Sequence, residues 1–180
     1  MPDETGDAIR FIHEARKGPF LRFEDELLSH LPRLRRVAHA LARNAADADD
    51  LLQAAVERAL TRRDQWQAGS RLDAWAIRIL RNLWIDTVRA QARRRETFVA
   101  PEEGDAVGRQ GEQEMTVEMH NIGRAMAKLP PEQREVIALV MVEGFAYREA
   151  AEILDIPMGT LTSRLVRGRE ALLGALGEAA

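Results

Sequence analysis

Residues 146–170, AYREAAEILDIPMGTLTSRLVRGRE, hold two helical patterns separated by only three residues. So short a connection constrains the fold strongly, because two helices joined that closely must pack against each other at a steep angle. Ala150, Ala151, Ile153 and Leu154 recur at helical spacing in the first pattern. Asp155-Ile156-Pro157 interrupts it, and a second helix resumes with Arg164, Arg167 and Arg169 among its polar positions. This is the layout of a helix-turn-helix, whose second helix enters a DNA major groove. Its N-terminal half offers Thr160, Thr162, Ser163 and Arg164 toward base edges, while Arg167 and Arg169 are better placed for phosphates. Gly168 inside the helix weakens it by about 1 kcal/mol relative to alanine. Helical hairpins with a proline turn also occur as plain packing units, so both readings stand at this point.

The rest of the chain is helical in pattern too, with no strand-like alternation and no internal repeat. Leu27, Leu28, Leu31, Leu34, Val37, Ala38 and Leu41 form one stripe, with Pro32 marking a break or the start of the longer helix. Leu51, Leu52, Ala55, Val56, Ala59 and Leu60 form a second stripe, with Asp47 as its expected N-cap. Ser70, with Asp73 three residues on, is placed to cap a third helix that runs to about Arg95. A fourth ends before Pro130-Pro131, and a fifth spans roughly 131–143 with Gly144 closing it. Residues 96–116, ETFVAPEEGDAVGRQGEQEMT, have no stripe, three glycines and a proline. From Glu96 to Glu118 seven acids face a single arginine, a local net of −6. Such a segment repels itself and reads as an extended linker. The expected fold class is therefore all-α: a tail over 1–22, a helical domain over 23–95, the acidic linker over 96–116 and a second helical domain over 117–180.

A DNA-reading motif sits oddly in a chain of 26 basic and 29 acidic residues, net −3. Counting by segment removes the conflict. Between Arg71 and Arg95 seven arginines face two acids, a local net of +5, and it is the local field that steers a polyanion. On a helical wheel Asn82, Arg89 and Arg93 fall within about 60° of Arg78, with Trp75, Arg81 and Asp86 within about 80°. Ile77, Ile79, Leu80, Leu83, Trp84 and Val88 take the opposite arc. Arginines beside an amide and an aromatic suit phosphate neutralisation with capture of an exposed base. The alternative is a solvated basic face with Trp75 partly buried beside it.

On the helix over 47–60, Asp50, Gln53 and Glu57 share a face opposite the apolar stripe, with Asp49 adjacent. Acids in a first turn favour the helix dipole; a carboxylate-rich face also suits docking to a basic protein surface. No nucleophile elbow, phosphate loop or metal motif occurs, so no enzyme activity, cofactor or metal is expected. The four histidines lie far apart without ligand spacing, and the absence of cysteine excludes disulfides and thiolate sites. No apolar run is long enough to span a membrane, and the acidic N-terminus is not a signal peptide. The expected location is the cytoplasm.

In this order the pieces resemble the bacterial extracytoplasmic-function sigma factors, the small members of the sigma-70 family. DADDLLQAAVERAL (47–60) is similar to the family's core-polymerase-binding segment, and WQAGSRLDAWAIRILRNLWIDTVRAQARRR (66–95) to the segments that open and read the −10 promoter element. LPPEQREVIALVMVEGFAYREAAEILDIPMGTLTSRLVRGREAL (129–172) is similar to the domain that reads the −35 element. The resemblance implies a non-catalytic specificity subunit that contacts the beta-prime clamp helices and the beta subunit of RNA polymerase. Carried over, Asp49, Asp50, Leu51 and Gln53, with Glu57 on the same face, bind core polymerase. Asn82 and the loop 63–70 hold a flipped −10 base, with Trp75, Arg78, Asp86, Arg89 and Arg93 on the same face. Thr160, Thr162, Ser163, Arg164 and Arg167 face the −35 duplex.

An anti-sigma partner and a stress-response regulon are further expectations, and AGSRLDAW (68–75) resembles the general-stress-response members without fixing a subgroup. Asp155 stands where the family often has a turn glycine, a replacement that tolerates positive φ. Gly168 stands where alanine is usual. Two other readings remain from the residues: a stand-alone helix-turn-helix transcriptional regulator, which calls for a dimerisation element and a basic charge, and a protein-interaction module, which leaves the Arg78–Arg93 face unexplained.

Overall fold

The computed structural model describes residues 19–97 and 117–177. Seven helices and no strand are found among them, so the all-α expectation holds. Most of the expected tail, and all but the first two residues of the expected linker, lie outside the described residues. The last four residues assigned to the tail, 19–22, already belong to the first helix.

Helix α1 (Pro19–Leu41) runs straight through Pro32, which neither ends nor starts it. Helix α2 (Ala45–Thr61) begins two residues before the expected cap. Asn44 holds an extended backbone, φ −145° and ψ 171°, and its side chain accepts from the Asp47 N–H at 2.8 Å. Asp47 is thus a first-turn residue, where its charge complements the helix dipole. A 3₁₀ turn (Arg63–Gln65) and Gly69 at φ +88° lead into α3 (Leu72–Thr97). Ser70 does not cap α3, because its hydroxyl donates to the Gln67 carbonyl; Asp73 accepts from the next N–H, that of Ala74.

Beyond the linker come α4 (Val117–Lys128) and α5 (Pro131–Ile137). The latter continues as one π turn over Ala138–Val142 before Gly144, at φ +71°, reverses the chain. Helices α6 (Tyr147–Leu154) and α7 (Met158–Gly177) form the helix-turn-helix. At its turn Asp155 adopts φ 54° and ψ 51°, the left-handed conformation that the family's glycine would take. Gly168 also has a structural reason: a β-carbon there would lie 3.1 Å from Ile137 Cγ1, so its smallness lets α7 approach α5.

The buried apolar residues of α1–α3 and of α4–α7 form one connected cluster. Val37, Ile77 and Leu80 are among the inner residues of the first group, Ile137, Leu154 and Leu161 of the second. Leu28 and Leu60, assigned to the apolar stripes, are instead 60% and 40% exposed. Arg134 on α5 ties the two groups together. It donates to the Leu41 carbonyl at the end of α1 and to the carbonyls of Ala127 and Leu129 at the end of α4. Two helix C-termini supply the negative field a buried guanidinium needs. Burial, with Arg43 nearby, pulls its pKa down to about 10, so it stays charged at neutral pH.

Candidate nucleic-acid and protein interfaces

Asp50, Gln53 and Glu57 project from α2 into solvent, and Asp49 is half exposed. Asp49 accepts from Arg35 at 3.1 Å, and Gln53 donates to Glu57 at 2.9 Å, which keeps the carboxylates aligned on one face. Leu51 is partly buried beside them. A cavity of about 510 Å³ runs from Asp47, Asp50 and Leu51 past Trp84 to Leu129 and Arg134 of the other helical group.

Helix α3 has two characters, as its periodicity indicates. Ile77, Leu80 and Trp84 are buried, whereas Arg78, Asn82, Asp86, Arg89 and Arg93 are exposed. Trp75 leaves the basic face: it packs edge-on against Phe23, 6.0 Å between ring centroids, and Phe23 also touches Trp66 at 5.4 Å. Two arginines of the helix reach the second group of helices. Arg78 Nη2 donates to the Glu152 carbonyl at 2.9 Å. Arg81 Nε donates to Glu135 at 2.8 Å and Arg81 Nη1 to Asn82 Oδ1 at 3.4 Å.

On α7, Thr162 and Ser163 bond backwards to the carbonyls of Met158 and Thr160, and Arg167 to that of Ser163. Thr162, Ser163 and Arg167 are exposed; Thr160 is half-buried. Arg164 is turned inward, with Nη1 3.3 Å from Glu135. Arg81 and Arg164, from opposite halves of the molecule, therefore share one carboxylate whose side chain is 2% exposed. Around them Asn82, Arg89 and Asp155 line a cleft of about 640 Å³.

A second set of charges crosses the same seam. Glu143, with a side chain 0% exposed, accepts two hydrogen bonds from Arg36, at 2.9 and 3.0 Å, and one from Arg33 at 3.2 Å. The carboxylate holds the Arg36 pKa above its ordinary value. Arg33 also reaches Asp73 at 2.6 Å and lies 4.2 Å from the centre of the Phe145 ring. Arg71 bonds both Asp73 and Glu149. Burial pushes the Asp73 carboxyl up, but the bonds from Arg71 and the Ala74 N–H, with the charge of Arg33, outweigh it. Its pKa lies below the ordinary value.

The buried acids of this seam, Glu135 and Glu143, and the α1 arginines escaped the sequence reading. The available signal was a charge inside an apolar run: Glu135 stands directly before Val136 and Ile137, and Glu143 follows ALVMV. A buried acid demands a partner, but sequence does not say from where.

The described residues contain no group of three or more ligating side chains arranged for a metal, and no helix among them is long and apolar enough to cross a membrane. Residues 27–94 match the family described as Sigma-70 region 2, and residues 119–172 that described as Sigma-70, region 4. The chain is 39% identical over 155 residues to the ECF RNA polymerase sigma factor EcfG of Rhodopseudomonas palustris, covering 84% of this chain and 83% of that one. It is 30% identical over 172 residues to ECF RNA polymerase sigma factor SigW of Bacillus subtilis, covering 89% and 92%. Among solved structures it overlays the sigma factor RpoE of Bartonella quintana, co-crystallised with the anti-sigma factor NepR. The TM-score is 0.73 at 32% identity, with 87% of this chain and 97% of that one covered. The chain belongs to the extracytoplasmic-function sigma factors of the sigma-70 family.

Proposed function

We propose that this sigma factor divides its work by helix, with a region 2 domain over 23–95 and a region 4 domain over 117–180. Asp49, Asp50, Leu51, Gln53 and Glu57 dock core polymerase. Arg78, Asn82, Asp86, Arg89 and Arg93 handle the opened −10 strand, with Trp75 supporting their helix from the aromatic cluster. Thr160, Thr162, Ser163, Arg164 and Arg167 read the −35 duplex. The observation that carries this division is α3 itself, whose inner face is core while its outer face sets an amide among arginines. An amide both donates and accepts, so Asn82 reads the base while the guanidiniums hold phosphates. Arg164 reaches a base edge only after leaving Glu135.

The protein works as a non-catalytic subunit in the cytoplasm, on a stress-response regulon, and under an anti-sigma factor. The complex formed by the Bartonella quintana relative supports that last assignment. The likeness of residues 68–75 to general-stress-response members supports the regulon. The test is reconstitution with core polymerase. Asp50→Arg with Gln53→Ala abolishes association with core, while helical circular dichroism and the thermal midpoint stay nearly unchanged. Wild-type capture of core by that double variant would refute the docking assignment.

A further inference from the structure

We propose that the cavity bordered by α2, α3 and α5 is a binding site for a small organic anion, an apolar body carrying one carboxylate. Its volume of about 510 Å³ lies within the roughly 300–1,000 Å³ of small-molecule sites. Leu51 and Ala54 of α2, with Leu83, Trp84 and Val88 of α3, supply its apolar wall. An apolar body laid against that wall gains in proportion to the area it removes from water.

The polar end is made by two arginines. Arg43 and Arg134 both line the cavity, and Arg134 is only 6% exposed. Its two terminal nitrogens donate to three backbone carbonyls, but its buried Nε has no hydrogen-bond partner among the described residues. The guanidinium also lies 5.8 Å from the centre of the Trp84 ring. Burial and, second to it, the charge of Arg43 lower the Arg134 pKa. The two cations therefore repel, and a carboxylate drawn to them offsets both the repulsion and the burial of charge. Asp47 and Asp50 line the cavity as well. Asp47 accepts from the Asn44 side chain at 3.1 Å, and Asp50 stands in solvent. These carboxylates steer the head of an anion toward the arginines and disfavour a dianion such as a phosphate monoester. A neutral ligand would leave the arginine end without its counter-charge. Asp50 and Leu51 also belong to the proposed docking face, so an occupied cavity competes with core polymerase; that consequence rests on the docking assignment.

The test is calorimetric titration of the full chain with decanoate and with naphthoate, each against its neutral amide. One carboxylate should bind per chain, about tenfold more tightly than the amide. Nitrogen-edited NMR spectra should show the shift at the Trp84 indole N–H rather than at those of Trp66 and Trp75. Arg43→Ala should weaken the carboxylate about tenfold and leave the amide unchanged. Ala92→Trp, at an exposed residue that lines the cavity, should block both ligands with circular dichroism unchanged. Three results would each overturn the proposal: no saturable binding of either carboxylate at millimolar concentration, equal affinity for acid and amide, or binding that survives Ala92→Trp. Saturating carboxylate should also lower capture of core polymerase severalfold in the wild type but not in Ala92→Trp. Unchanged capture, with the titration otherwise as expected, would remove the competition and count against Leu51 as a docking residue while the ligand site stands.

Discussion

The acidic face of α2 and the basic face of α3 pack on one helical domain, yet the molecule treats them differently. Asp50, Gln53 and Glu57 stand in solvent, whereas Arg78 and Arg81 are held by Glu152 and Glu135 of the second half. The acidic face is open and the basic face is partly engaged. Under the proposed roles, polymerase meets an available surface, whereas DNA meets Arg78 and Arg81 only in exchange for Glu152 and Glu135. It also answers how a chain of net charge −3 handles a polyanion. The arginines are locally concentrated, and internal carboxylates neutralise part of them.

The largest effect expected from the reading face concerns Asn82. Capturing a base that has left the stack offsets a cost of a few kcal/mol. Asn82→Ala should therefore lower transcription from a closed duplex by roughly 10- to 100-fold, with polymerase binding intact. A template carrying a pre-opened mismatched bubble has already met that cost, and most activity should return on it. Arg89→Ala should be rescued less, because phosphate contacts matter on open and closed templates alike. Equal Asn82→Ala defects on both templates would remove its special role in melting.

A smaller effect separates two residues of α7. Arg164→Ala should cost about 1–3 kcal/mol on the preferred upstream sequence and relax discrimination at one base position. Arg167→Ala should weaken all sequences about equally and make the salt dependence shallower by about one unit. Matching specificity profiles, read by binding to a randomised duplex library, would contradict this division.

The smallest effect tests the root of the reading helix, where Asp73 holds Arg33 and Arg71. Its folded pKa is depressed, so its contribution is fully present above the unfolded value of ~3.9 and is lost as pH falls through the folded one. Asp73→Asn should lower the thermal midpoint by roughly 2–4 °C at pH 7. That gap should begin to narrow below about pH 4 and close only below the folded value. A gap that persists unchanged into acid would mean that packing, not the ion pair, is lost.

Much of the fold was legible because helical periodicity is local. The stripe of Ala150, Ala151, Ile153 and Leu154 and the left-handed turn at Asp155 follow from residue chemistry within a few positions. The two-faced nature of α3 follows from its wheel. What stayed hidden depends on distant chain. Leu28 and Leu60 continue their stripes in sequence but find no neighbour to cover them. Asn44 outcompetes Asp47 as the cap because backbone geometry decides, and both residue types qualify. Trp75 turned from the basic face because Phe23, over fifty residues away in sequence, offers it a ring. The seam was the least legible part, since Glu135 and Glu143 take their partners from α1 and α3, beyond any local pattern.

The central claim is that the reading faces serve DNA only within the polymerase complex. The direct measurement is a footprint on a promoter fragment first identified by run-off transcription with the reconstituted complex, taken at physiological salt with and without core. Protection of both elements is expected with core, and weak, non-specific association without it, since an internal acid competes with phosphate for Arg81 and Arg164. A nanomolar, sequence-specific footprint by the chain alone would contradict it and favour the stand-alone regulator.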